Sequence, residues 1–179
     1  MVVIMEERKS LYRYGAERGL GFGIYMSVVS VCSIYADRVP LFSMVVLLML
    51  IALPVVVYRQ QRGWAALQGG VSDYASMWMV GILLFLCGAL ITALVTYAVL
   101  RFSRPTFIYD QAQMALEAYS QFPELRDSQL VGVLRTAIDG GLLPTPIEMV
   151  FNSYWFVTFG GCLLSALTAA VAYARNRVL

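Results

Sequence analysis

Few residues in this chain carry chemistry. It has no histidine, only three cysteines, and charged residues make up 13% of its length. The absence of histidine removes the commonest metal ligand and the commonest general base near neutral pH. The cysteines, Cys32, Cys87 and Cys162, all lie within apolar runs and form no CxxC pair, which argues against a zinc site and a disulfide framework. We therefore predict no metal ligands, no cofactor and no catalytic residues.

The low charge also excludes an ordinary soluble domain, in which roughly 25% of residues are charged. Here 60% of the residues are hydrophobic. A chain of 179 residues cannot bury so much apolar surface in its own core, so the excess must face lipid. We predict an integral membrane protein with one membrane domain over residues 1–179.

The apolar residues are grouped into four runs. These runs contain no Asp, Glu, Lys, Arg or His except Glu148, and each is close to the roughly 20 residues needed to cross the hydrocarbon core. They predict an all-α membrane protein with four transmembrane helices, at about 19–36, 41–58, 75–100 and 147–174. Pro54 lies in the second span, where it would produce either a tolerated kink or a functional hinge.

Small residues recur every four positions in the first span. Side chains four apart share a helix face, and in a membrane such a face lets another helix approach closely. This pattern predicts a packing face made of Gly15, Gly19, Gly23 and Ser27. We predict further close contacts in the third and fourth spans at Gly81, Gly88, Gly160 and Gly161.

Residues 105–144 form the one long segment between spans. Apolar residues recur there at helical spacing, and a second stripe follows Pro123, so the segment predicts an amphipathic helical hairpin. The first stripe is Ile108, Ala112, Ala115, Tyr119 and Phe122. Its apolar face could lie on the lipid interface, or it could act as a lid or as a surface that binds a partner.

Charge predicts how the spans are oriented. With four spans, the side that carries both termini has eight Lys and Arg residues, against five on the other side. The positive-inside rule then places both termini in the cytoplasm and the 105–144 hairpin outside it. That hairpin has a net charge of −3, which does not favour anionic lipid or nucleic acid.

Several short motifs are similar to those of a known family. They are Tyr14-Gly15 with Gly19 and Gly23, Gly69-Gly70-Val71-Ser72-Asp73-Tyr74, Thr96-Tyr97, residues 101–108 and Pro144-Thr145-Pro146. Through them nearly the whole chain resembles the bacterial membrane protein family DUF4199, a domain of unknown function. The resemblance implies four spans in the bacterial inner membrane and supplies no catalytic residues. It also implies, as a partner, a polyprenyl-phosphate glycosyltransferase of the family-2 kind.

Three classes of function remain. An enzyme needs an acid/base pair, and Asp110 with Glu117 is the one candidate, although a solvated helix face explains both residues. A lipid or small-solute protein would need a groove between the spans, with the candidate lining Ser27, Ser30, Thr92, Thr96 and Asn152. We favour the third class, a non-catalytic accessory subunit that contacts another membrane protein or a second copy of itself.

Overall fold

The structure, a computed structural model, describes residues 10–69, 73–122 and 129–176. Over these ranges all regular elements are helices and none is a strand. The helices are α1 Leu11–Tyr35, α2 Pro40–Leu67, α3 Tyr74–Ala98, α4 Phe107–Ser120, α5 Gln129–Asp139 and α6 Pro146–Asn176. A π-helical turn, Val99–Ser103, continues α3. Four of these helices are long and apolar enough to cross a membrane, which confirms the predicted fold class.

The second helix is longer than its predicted span. The sequence predicts a second span at about 41–58, whereas α2 continues to Leu67. The reason is that its buried face continues past Tyr58, where Gln61, Trp64 and Ala65 are all buried. Burial against the other helices therefore extends α2 through a stretch that contains two arginines, two glutamines and one glycine.

The described residues form two compact units. The first unit runs to Leu94 and resumes at Ser153, and the second is Val95–Asn152. The helices α3 and α6 contribute residues to both units. The predicted single membrane domain stays a prediction.

The core of the first unit joins all four of its helices. Its largest cluster contains Phe22 and Met26 of α1, Val57 of α2, and Leu84 and Phe85 of α3, with Val157 and Leu164 of α6 packed against it. The rings of Phe22 and Phe85 meet edge to face at 4.9 Å, an arrangement that aromatic pairs favour. Most of α2 faces outward, and its exposed residues are almost all aliphatic. That face suits the hydrocarbon of a bilayer.

In the second unit, α4 and α5 pack against each other. Helix α5 ends at Asp139, and Gly141 follows it at a φ of 65°. A glycine adopts this left-handed conformation without the steric cost of a Cβ.

The start of α6 carries a capping box formed by Thr145 and Glu148. The backbone N–H of Thr145 donates to Glu148 Oε2 at 2.8 Å, and the backbone N–H of Glu148 donates to Thr145 Oγ1 at 3.4 Å. Each side chain therefore satisfies a backbone donor that the first helical turn leaves unpaired.

Candidate functional site

The glycine face of α1 lies directly against α3. The glycines are four residues apart, and so are the α3 residues that they meet: Gly15 meets Leu83, Gly19 meets Cys87 and Gly23 meets Ile91. A Cβ at Gly19 would lie only 2.6 Å from the Cβ of Cys87. The backbones of α1 and α3 are thus close enough to exclude any side chain at Gly19.

The hydroxyl groups near the α1–α3 contact donate hydrogen bonds to backbone carbonyls. Ser27 donates to the carbonyl of Gly23 at 2.7 Å, and Thr92 donates to the carbonyl of Gly88 at 2.9 Å. Gly88 itself faces the ring of Phe22. Ser27 and Thr92, which we predicted as candidates for a groove lining, therefore bond to the backbone of their own helices beside the α1–α3 contact. Ser30 lies in the first unit, whereas Thr96 and Asn152 belong to the second.

A polar cluster lies where α2, α3 and α6 cross. The fully buried Gln61 donates from Nε2 to the carbonyl and the hydroxyl of Ser165, at 3.0 and 3.2 Å. Ser165, also fully buried, donates to the carbonyl of Trp78 at 3.2 Å. A Cβ at Gly81 would lie 2.7 Å from the Cβ of Ser165 and 2.9 Å from Gln61 Nε2. The absence of a side chain at Gly81 makes this crossing possible.

Three buried polar atoms of α2 have no hydrogen-bond partner within the described part of the chain. They are Tyr58 Oη, Gln61 Oε1 and Trp64 Nε1. Buried polar groups are usually paired, because an unpaired one costs about 1–3 kcal/mol. This face of α2 can therefore bind a polar group.

The two neighbouring glycines of α6 differ. Gly161 packs against the ring of Phe85, as we predicted for a close contact. Gly160 is exposed, and a Cβ there would have no heavy atom within 4 Å, so Gly160 makes no close contact within the described part of the chain. Successive residues of a helix point about 100° apart, so both glycines cannot face the same neighbour.

The apolar stripe of α4 is partly buried at its start and exposed at its end. Ile108, Ala112 and Ala115 are half-buried, whereas Tyr119 is 40% exposed and Phe122, just past the helix, is 58% exposed. The candidate surface for a partner is thus reduced to the end of the predicted stripe.

Asp110 lies within an ionic cluster at the start of α4. Its Oδ2 is 3.5 Å from Nη2 of the buried Arg104 and accepts a hydrogen bond from the Thr106 hydroxyl at 3.1 Å. The Arg104 guanidinium also lies 5.3 Å from the centre of the Phe107 ring. Asp110 is therefore paired with a cation, and its side chain remains 37% exposed.

Sequence reasoning missed both Gln61 and Arg104. A signal existed for Gln61, because it continues the helical spacing of the buried residues Val57, Trp64 and Ala65. No comparable signal marked Arg104, since an arginine just after a span is typical of the membrane interface. Among the described residues, no group of three His, Cys, Asp or Glu side chains could hold a metal ion.

The sequence matches the family model described as "Protein of unknown function (DUF4199)" over residues 17–173. No curated protein matches the chain. No solved structure matches it either.

Proposed function

We propose that the chain, which belongs to the DUF4199 family, is a non-catalytic accessory subunit that binds another integral membrane protein. The proposal rests on the surface of the second unit, where large apolar side chains are exposed on a segment outside the apolar runs. Tyr119 and Phe122 are 40% and 58% exposed there, and Val133 and Leu142 are 68% and 73% exposed.

The charge of this segment favours a protein partner over the lipid surface. Residues 105–144 carry a net charge of −3, and helices that bind anionic membranes usually carry Lys and Arg instead. Exposed aromatic residues are also enriched at protein interfaces. A polyprenyl-phosphate glycosyltransferase of the family-2 kind is the first candidate partner, and a second copy of this chain is the other.

This proposal predicts that two charges at the end of the stripe release the partner. The double variant Tyr119→Asp/Phe122→Asp places carboxylates on exposed side chains, so the helices should still form. Co-purification of the candidate partner in mild detergent should fall at least tenfold, because burying two charges in an apolar interface costs several kcal/mol. Ile108 is unsuitable for this test because it is half-buried.

The matched control is Gln111→Asp, which adds a charge at an exposed position on the same helix. It should leave co-purification unchanged. If the double variant and the control retain the partner equally, the end of the stripe does not bind it. If the full-length protein co-purifies with neither candidate, the accessory role itself fails.

We also propose that the protein lies in the bacterial inner membrane with both termini in the cytoplasm. The eight basic residues on the side of the termini support this orientation. Alkaline phosphatase fused after Leu179 should then be inactive, because the enzyme matures only outside the cytoplasm, whereas a fusion after Phe122 should be active. The opposite pattern would overturn the orientation.

A further inference from the structure

A pocket of about 360 Å³ lies at the end of the first unit where α1 begins. Three of its lining residues, Tyr14, Glu17 and Arg18, belong to α1, and the fourth is Leu67 at the end of α2. The lining thus combines a negative charge, a positive charge and apolar surface. Because both charged side chains line the same pocket, one small ligand can contact both of them.

The pocket lies at the depth of the lipid headgroups. On α1 the apolar run starts at Gly19, directly after Arg18. On α2 the apolar run ends at Tyr58, and the hydroxyl of Tyr14 donates to the carbonyl of Gln60, just beyond it, at 3.0 Å. Both helices therefore change from apolar to polar at the level of the pocket, as helices do where the hydrocarbon meets the headgroup layer.

Both charges of the pocket can reach a ligand. Glu17 pairs with Arg13 at 3.1 Å, but the two side chains are 43% and 59% exposed, and an exposed ion pair contributes little to stability. An ammonium group can therefore replace Arg13 at little cost. Arg18 is also exposed, and its guanidinium carbon lies 5.7 Å from the centre of the Tyr14 ring. A guanidinium stacked on a ring still offers the N–H groups at its edge to an anion.

The face of α1 that continues from Glu17 into the membrane is apolar and exposed. Leu20, Ile24 and Val28 follow Glu17 at spacings of three, four and four residues, so they lie on the same side of the helix. They are 60%, 64% and 45% exposed. From Glu17 to Val28 the helix rises about 16 Å, and half of the hydrocarbon core is about 15 Å thick. This face therefore has the length of one acyl chain.

We propose that the pocket binds the headgroup of a zwitterionic phospholipid, with the phosphate at Arg18 and the ammonium group at Glu17. Arginine donates parallel hydrogen bonds to phosphate oxygens, and a carboxylate accepts hydrogen bonds from an ammonium group. The charge of Glu17 repels a headgroup that is only anionic. The pocket thus selects a lipid that carries both charges, and one of its acyl chains lies along the exposed face of α1.

The test measures lipid retention by the full-length protein, purified in mild detergent and analysed by native mass spectrometry. Phosphatidylethanolamine and phosphatidylglycerol with the same acyl chains are the probes, because only the first has an ammonium group. The unmodified protein should bind phosphatidylethanolamine roughly fivefold more tightly. Glu17→Gln should abolish this preference without weakening phosphatidylglycerol binding, whereas Arg18→Gln should weaken the binding of both lipids roughly fivefold.

The matched controls are Asp37→Asn and Arg38→Gln, which remove the same two charges from adjacent exposed residues beyond the other end of α1. Neither residue lines the pocket, so both variants should retain the two lipids as the unmodified protein does. Leu67→Trp, at a residue that is 62% exposed, should fill the pocket without disturbing the core. It should reduce retention of both lipids.

Four results would overturn the proposal. They are equal retention of the two lipids by the unmodified protein, equal losses of both lipids in Glu17→Gln, the same losses in Asp37→Asn as in Glu17→Gln, and unchanged retention in Leu67→Trp. Glycerophosphoethanolamine, which has the same headgroup without acyl chains, should not displace the lipid. If it does so, the pocket recognises a soluble phosphate ester and not a phospholipid.

Discussion

Gly81→Val is expected to destabilise the protein by about 3 kcal/mol, near the upper end of the usual cost of overpacking. The added side chain would overlap Ser165 and approach Gln61, so α3 and α6 would have to separate. The separation would also break the hydrogen bond from Ser165 to the carbonyl of Trp78. Thermal unfolding in detergent, followed by circular dichroism, measures the loss.

The control for this prediction is Gly160→Val, because a Cβ at Gly160 meets nothing within 4 Å. Its stability should change by less than about 0.5 kcal/mol, as is usual for surface substitutions. A further variant tests the contact itself: Ser165→Gly should partly restore the stability of Gly81→Ala. Strictly additive effects of Gly81→Ala and Ser165→Gly would show that these residues do not contact each other.

Gly19→Leu is the second substitution with a large expected effect. Its Cβ alone would clash with the Cβ of Cys87, which cannot move without its backbone. We expect α1 to move away from α3, with a loss of about 1–3 kcal/mol. Gly21→Leu is the matched control, since a Cβ there meets nothing within 4 Å, and it should be neutral or stabilising by up to about 1 kcal/mol.

The separation of α1 from α3 can be measured directly at Cys87. In a chain with Cys32→Ser and Cys162→Ser, Cys87 is the remaining cysteine. A membrane-permeant maleimide should label it faster in Gly19→Leu than in Gly21→Leu. Equal labelling rates and equal melting temperatures would contradict the close α1–α3 contact.

The glycines show what a sequence can and cannot specify. The spacing of Gly15, Gly19 and Gly23 predicts a bare helix face, because the period of a helix alone fixes which residues share a face. It does not identify the neighbour, since that depends on the path of the chain through the bundle. Likewise, the pair Gly160-Gly161 contains no signal for which glycine faces Phe85.

The burial of polar residues near the ends of spans is less evident from the sequence. Gln61 follows Arg59, and a charged residue after an apolar run is typical of the end of a span. The structure instead places Gln61 in a fully buried position, because Ser165 accepts its amide hydrogens. Ser165 lies far away in the sequence, so no local pattern could have revealed the pair.

The separation between Gln61 and Ser165 also constrains how the protein is made. The two residues are 104 positions apart. At roughly 5–20 residues per second, the ribosome reaches Ser165 about 5–20 s after Gln61. During this interval the nascent α2 is inserted with an amide that lacks its acceptor. Synthesis of α6 therefore supplies the acceptor for Gln61, and chains released before it carry a buried polar group without that partner.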